Sequence, residues 1–531
     1  RTAPVLFNPI DKKTLYYAGN VLFKTLNGGN NWQIISPDLT RESWDVPQSV
    51  GIYSTEDMKK MPRRGVIYTV APSYKDINTI WCGTDDGLIQ VTKDGGRTWK
   101  NVTPPEITSW SKISLMDASH FDVNTAYAAV NRIRCDDMHP HIYKTNDGGK
   151  TWKEIVNGLP EDPINVVRED PKRKGLLFAG SERSVYVSFD EGEHWQSLRL
   201  NMPATSIRDL VIKDDDIVIG THGRSFWILD DITPLRQLPA LDANQPVILY
   251  TPQTTYRVRW DMYTDTPLPQ EEPAGQNPPD GAIINYYLKE KVTGEMSLEI
   301  FDAKGKSIRK YSSQDKPYEI PPVNIPRYWI RPQQVLSREA GSHRFTWDMK
   351  YAPLDVPASY PIGATYKNTE PNQTSPWVMP GTYTIKLTAD GKIYTQSLTV
   401  KMAPRVKTAV ADLQKQHDLS LQCYESRKQC AEILKEIQRF RVMLQSQLTS
   451  AMIKVAEKLG PLERKAGQLE NTPQGSQEPS FGRISNSFAS IFNILQNSDR
   501  PPTSQAISAF AETQNQKQQL MIKWKEIKSK Q

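Results

Sequence analysis

The sequence predicts a mainly β chain in three parts: a run of β-propeller blades over 1–238, a β-sandwich over 239–405 and an α-helical region over 406–531. Three observations predict it. Four turn phrases in the first part each end in a Trp at a fixed offset, with β runs between them. A proline-dense middle then carries runs in which apolar and polar residues alternate. From about 406 onward, apolar residues recur every three or four positions.

The clearest phrase is Val91-Thr-Lys-Asp-Gly-Gly-Arg-Thr-Trp99, and others run Lys24–Trp32, Lys144–Trp152 and Val187–Trp195. Gly accepts the positive φ of a tight hairpin, and Asp or Asn bonds the turn's own amides. Trp adds a large apolar body with one N–H, enough to anchor the turn onto its sheet. Asn27, Gly29 and Trp32, Asp94, Gly96 and Trp99, Asp147, Gly149 and Trp152, and Asp190, Gly192 and Trp195 therefore read as structural staples. The tryptophans lie 67, 53 and 43 residues apart, close to the 40–50 residue period of propeller blades. These phrases resemble Asp-box, or BNR-type, repeats, as in sortilin-type propellers, bacterial sialidases and xyloglucan-active glycosidases. The resemblance speaks for fold and is nearly silent on function.

Composition excludes little. Charged residues make up 24% and hydrophobic ones 38% of 531 residues, with a formal charge of +6. No run approaches the ~18 apolar residues of a membrane span. The basic patches at 59–64 and Lys172–Lys174 lack a basic helix or interleaved aromatics, so no nucleic-acid partner is expected. Cys423 and Cys430, seven apart on one helix, would be separated by ~10.5 Å of rise, too far for a disulfide. Cys82 and Cys135 stay undecided. No cofactor is expected. The chain opens at Arg1, so the expectation is a mature or proteolytic piece whose export signal would lie upstream.

Blade one reads as strands at Pro4–Asn8, Thr14–Ala18, Val21–Thr25 and Trp32–Ser36. Blade two reads as Gly65–Ala71, Thr79–Gly83, Gly87–Thr92 and Thr98–Val102. The third spans Lys112–Val156 with an insertion at Asn131–His141, and the fourth Ile164–Leu198. A fifth, at Ser206–Ile212, Asp216–Gly220 and Ser225–Leu229, has no box. Exposed sheet edges at both ends of such a row predict further blades, supplied from upstream, to close a ring. In the middle part, Met296–Phe301 and Ser307–Tyr311 form a hairpin, and His343–Met349 a strand. Gly381–Thr388 pairs with Lys392–Val400 around Asp390-Gly391, with Tyr383, Ile385 and Leu387 on one face. This reads as an immunoglobulin-like sandwich and resembles the C-terminal sandwich of large secreted bacterial propeller proteins. A helical stripe from Cys430 to Leu459 is expected to stop at Gly460-Pro461. A second runs from Phe481 to Leu495, and a third opens at Pro501-Pro502; residues 472–480 read as a linker.

Strand order places the boxes on one rim. The second-to-third turns and the interblade links fall on the other, where lengthened loops suit a binding site. That rim receives Trp44, Trp110, Lys112, Glu182, Arg183, His222 and Arg224 as ligand-binding candidates. Asp85 and Asp86 read either as a β-turn bonding its own backbone or as the carboxylate pair of a glycoside hydrolase. Asp136, Asp137 and His139 have metal-capable side chains, but the neighbouring Pro140 and the strand at His141 disturb that geometry. Function is expected to be binding and scaffolding: a secreted, periplasmic or surface-exposed protein taking a glycan or protein ligand. Glycoside hydrolysis and a structural role in a larger surface assembly are the alternatives.

Overall fold

The computed structural model describes residues 3–529 apart from 44, 54, 61, 63–64, 239–244, 260–274, 276, 318, 362–366, 451–452, 474–475 and 477. The backbone alone is described at 52–53, 59, 449–450 and 453–456. The chain divides into two compact units, Arg1–Leu241 and Asp242–Gln531.

The first unit is a succession of small antiparallel meanders. Blade one holds β1–β4 (Val5–Phe7, Leu15–Ala18, Leu22–Thr25, Gln33–Ile34), and blade two β5–β8 (Ile67–Pro72, Ile80–Thr84, Ile89–Thr92, Lys100–Asn101). Blade three holds β9–β12 (Lys112–Ala118, Ala126–Asn131, Ile142–Thr145, Lys153–Glu154), and blade four β13–β16 (Ile164–Glu169, Leu177–Ser181, Val185–Ser188, Gln196–Ser197). Blade five has three strands, β17–β19 (Ile207–Lys213, Asp216–Thr221, Phe226–Leu229). A short helix α1 (Glu56–Lys59) lies between blades one and two, and α2 (Thr233–Gln237) follows β19. The first strands of blades two to five adjoin in turn, β5 beside β9, β9 beside β13, β13 beside β17. Stacking covers both faces of the inner strands, so β6, β10 and β14 are buried along their whole length, while the fourth strands β8, β12 and β16 are short, polar and exposed.

The box has one more member than the sequence phrase suggests. The hydroxyls of Thr25, Thr92, Thr145 and Ser188 accept the amides of Gly29, Gly96, Gly149 and Gly192 at 2.9–3.1 Å. Each donates in turn to Asn27, Asp94, Asp147 or Asp190 at 2.8–2.9 Å. Those side chains then accept the amide four residues on, at Asn31, Thr98, Thr151 and His194. Amide and hydroxyl donors from Thr151 hold the Asp147 carboxyl down at about 2. Gly96 is required twice over, with φ +99° and a position where a Cβ would meet the Ile35 carbonyl at 2.4 Å.

The indoles reach further than anchoring onto their own sheet. Trp99 Nε1 donates to the Ile35 carbonyl at 2.9 Å, Trp152 to Val102 at 2.7 Å and Trp195 to Ile155 at 2.8 Å. Each acceptor belongs to the preceding blade, just past its fourth strand. The ring is too large to lie over a four-residue turn, so it fills the gap between neighbouring sheets and its N–H meets the first carbonyl there. On the box side, Arg168 in β13 bridges Asp117 of β9 and Asp209 of β17, both at 3.3 Å, and donates to the Leu210 carbonyl at 3.0 Å. One side chain thereby ties three blades.

In the second unit, β20 (Val247–Leu249), β22 (Ala282–Leu288) and β25 (Gly341–Trp347) form a three-stranded sheet. The other sheet runs β21 (Thr255–Arg257), β27 (Lys392–Met402), β26 (Gly381–Ala389), β23 (Ser297–Phe301), β24 (Ser307–Ser312). Leu249, Ile284 and Trp347 from one and Ile300, Ile385 and Leu398 from the other share a single core, so the pair is a two-sheet sandwich. The β20, β21 and β22 strands have no counterpart among the expected ones. Helices α3 (Val410–Ser450), α4 (Ile453–Glu470), α5 (Phe481–Gln496) and α6 (Ser504–Lys528) follow, the last two capped by the Ser480 and Thr503 hydroxyls. The expected stop at Gly460-Pro461 is wrong: α4 runs straight through it. Leu459, Leu462, Ala466 and Leu469 pack on the helical core, and Arg441 of α3 pairs with Glu463 and Glu470. Those contacts outweigh the ~3 kcal/mol that an interior proline costs. All four cysteines are free and buried. Among the described residues, no helix is long and apolar enough to cross a membrane.

Candidate ligand-binding rim

The rim opposite the boxes is assembled from the starts of the first strands. In register, Ile67, Ile113, Ile164 and Ile207 enter the core, and the residue after each is Tyr68, Ser114, Asn165 or Arg208. Lys112, one residue before Ile113, sets its ammonium 5.1 Å from the centre of the Tyr68 ring. Partial burial pushes the Lys112 amine down, and the Arg208 and Arg134 charges add to that. Glu182, in the β14–β15 turn, accepts Asn165 Nδ2 at 2.9 Å and lies 3.4 Å from Arg208 Nη1. Burial raises its carboxyl, but those bonds and the Lys112 charge outweigh this and leave it below the usual carboxylate range. Asn131 extends the line by donating to Asn165 Oδ1 at 2.9 Å.

Trp110 sits beside this cluster with φ +64°, its carbonyl accepting Arg134 Nε at 2.8 Å and its ring 5.9 Å from the same guanidinium. The Arg183 head is mostly exposed and lies 3.9 Å from the buried Asp162. His222 and Arg224 occupy the exposed β18–β19 turn, tied to the link before β17 by the His222 amide on the Ser206 carbonyl at 2.9 Å. Trp44, Arg63 and Arg64 lie outside the described residues.

Asp85 and Asp86 are engaged mainly by distant backbone, with only the Thr84 hydroxyl coming from their own turn. Asp85 Oδ1 accepts the Val66 amide at 2.8 Å. Asp86 accepts the Thr84 hydroxyl at 2.6 Å and the Arg41 amide at 2.9 Å, while Arg41 reaches back to the Asp86 and Gly87 carbonyls. Both are buried, and a Cβ at Gly65 would stand 2.0 Å from Asp86 Oδ2.

The insertion in blade three does not gather Asp136, Asp137 and His139 around a point. Asp136 turns away with φ +58° as the C-cap of a short 3-10 turn. Asp137 bonds His139 Nδ1 at 3.0 Å and His141 Nε2 at 3.1 Å, and His141 Nδ1 lies 2.7 Å from Glu154. Among the described residues, no three such side chains are arranged to hold a metal. Burial opposes charge on His141, but Glu154 and Asp137 outweigh it and raise its pKa above the ordinary value of 6.5. A raised histidine pKa contributes stability fully below 6.5 and loses it as pH rises through the folded value. The unfolding midpoint is therefore expected to fall as pH rises above 6.5. His141→Gln should flatten that slope, and an unchanged slope in the variant would remove the ion pairs from the account.

A row of stacked meanders latched by indoles, with its loops gathered on one rim, is a β-propeller-type scaffold. No protein-family profile and no curated protein matches this sequence. Among solved structures, the chain is similar to the GH74 xyloglucanase from Xanthomonas campestris: 14% identity, 42% of this chain and 35% of that one, TM-score 0.31. It is also similar to a GH74 enzyme from Niastella koreensis: 14% identity, 53% of this chain and 41% of that one, TM-score 0.30. For YCF48 bound to a D1 peptide, the figures are 15% identity, 43% and 93% coverage, and TM-score 0.21. This chain thus spans about a third of the length of the Xanthomonas enzyme. At these scores the likenesses carry no argument about activity.

Tyr68, Asn165 and Arg208 were not among the expected site residues. In the sequence each directly follows an Ile that opens a first strand: Ile67-Tyr68, Ile164-Asn165 and Ile207-Arg208. The unequal interblade links hide that register.

Proposed function

We propose that the first unit is a binding scaffold whose ligand face is the rim opposite the boxes, taking a carboxylate-bearing peptide or glycan. The observation that supports this reading is the convergence of Lys112, Arg208 and Arg134 on a partly buried rim where Glu182 is the counter-charge in contact. The partly desolvated Lys112 ammonium, with the Arg208 and Arg134 charges near it, favours a carboxylate beside it. The glycoside hydrolase alternative would need two free, facing carboxylates, whereas one oxygen of Asp85 and both of Asp86 are engaged by amides and a hydroxyl. Secretion or surface exposure belongs to the same proposal, as does a further blade ahead of blade one. Trp32 there is 42% exposed, and its indole meets no acceptor among the described residues.

Peptide and glycan arrays probed with the protein test the reading. Lys112→Ala with Arg208→Ala is expected to weaken the best acidic hits at least tenfold at unchanged unfolding midpoint. Release of reducing ends from a polysaccharide, abolished by Asp85→Asn or Asp86→Asn, would replace this proposal with the hydrolase.

A further inference from the structure

Blade five carries no box and, among the described residues, no fourth strand, yet the socket that a box tryptophan fills elsewhere is present beside it. In the three filled cases the indole packs against a bonded pair of the preceding blade: Ile35 on Leu22, Val102 on Ile89, Ile155 on Ile142. The fourth such pair is Leu198 on Val185, joined by the same amide-to-carbonyl bond. The buried cluster that holds Trp195 also contains Leu177, Ala179 and Tyr186 of its own blade. Strand register puts Ile217, Ile219 and Trp227 at the matching positions of blade five. These five residues line an open groove of about 410 Å³, part of it open solvent. Beside it, β19 is an edge strand with Phe226 79% and Ile228 58% exposed. In blade four, the residues at the places of Trp227 and Ile228 pair with the fourth strand: Tyr186 with Ser197 and Val187 with Gln196.

We infer that this groove is a docking site for an extended segment of box sequence, which adds a fourth strand to blade five and seats its tryptophan on Leu198. The occupant is a peptide segment of the pattern Asp-x-Gly-x-x-Trp-polar-polar-apolar. Its backbone continues the β19 ladder at Trp227 and Ile228 while the indole donates to the Leu198 carbonyl, as Trp195 does to Ile155. The chain itself supplies the argument for that chemistry, since this sequence fills the same socket at each of three other junctions. The site is separate from the rim and stands whether or not the rim binds a ligand.

A fluorescein-labelled peptide with the sequence of residues 145–156 is the probe, titrated with the full chain and read by anisotropy. Saturable binding is expected, at least tenfold weaker for the peptide with alanine in place of its tryptophan. Ile219→Arg in the protein should abolish it. Ile228→Glu, at an exposed position that folding tolerates, should weaken it severalfold at unchanged unfolding midpoint. No saturation, or equal binding of the alanine peptide, would overturn the inference. So would a concentration-dependent dimer, seen by sedimentation, that the peptide displaces, because a second copy would then be the occupant.

Discussion

Trp195→Ala is expected to destabilise the first unit by about 3–5 kcal/mol, the range for emptying a buried tryptophan site. Trp195 is buried between blades three and four, and its loss opens a cavity lined by Ile142, Ile155, Leu177 and Tyr186. For a unit of this size that is a fall in unfolding midpoint on the order of 10 °C. Trp195→Phe keeps most of the ring and leaves the Ile155 carbonyl without its donor, so about 1–3 kcal/mol is expected there. Calorimetry of the parent and both variants gives the comparison. An alanine variant within 1 kcal/mol of the parent would mean that the blades are held together by something other than their indoles.

The second large effect falls on Arg168. Arg168→Met removes the cation that Asp117 faces, and the Asp117 side chain is only 4% exposed. A buried carboxylate stripped of its partner costs about 3–5 kcal/mol. Burial already pushes the Asp117 carboxyl up. Without Arg168 it rises further, so the penalty should shrink as pH falls and the group is protonated. Adding Asp117→Asn to Arg168→Met should recover more than half of the loss in urea unfolding at pH 7, because the amide oxygen can still accept the Glu169 N–H. A double variant no better than the single one would show that the loss came from packing of the Arg168 stem.

Much of the first unit is legible in the sequence, because its signals are local. Asp94-Gly95-Gly96 demands positive φ within three residues, and the alternation around it can only be a strand. The fourth strands of blades one and two are two residues long where five were expected, since their outer edge is free and only the pairing next to the box is enforced. In the second unit β22 went unseen. Ala282–Leu288 is buried on both faces, so it has no period-two pattern to announce it. The extension of α4 past Pro461 was missed for the opposite reason: a strong local stop signal lost to contacts made by residues twenty positions away on α3.

Turn chemistry, strand period and the repeat of the boxes were determined by the sequence alone, because each depends on dihedral preferences and spacing within about ten residues. Only the tertiary structure decided where each indole donates its proton, that Asp85 and Asp86 face amides, and that Lys112, Glu182 and Arg208 meet. Those outcomes join residues up to about a hundred positions apart, and the partner of a side chain at that range is fixed by which blade packs on which.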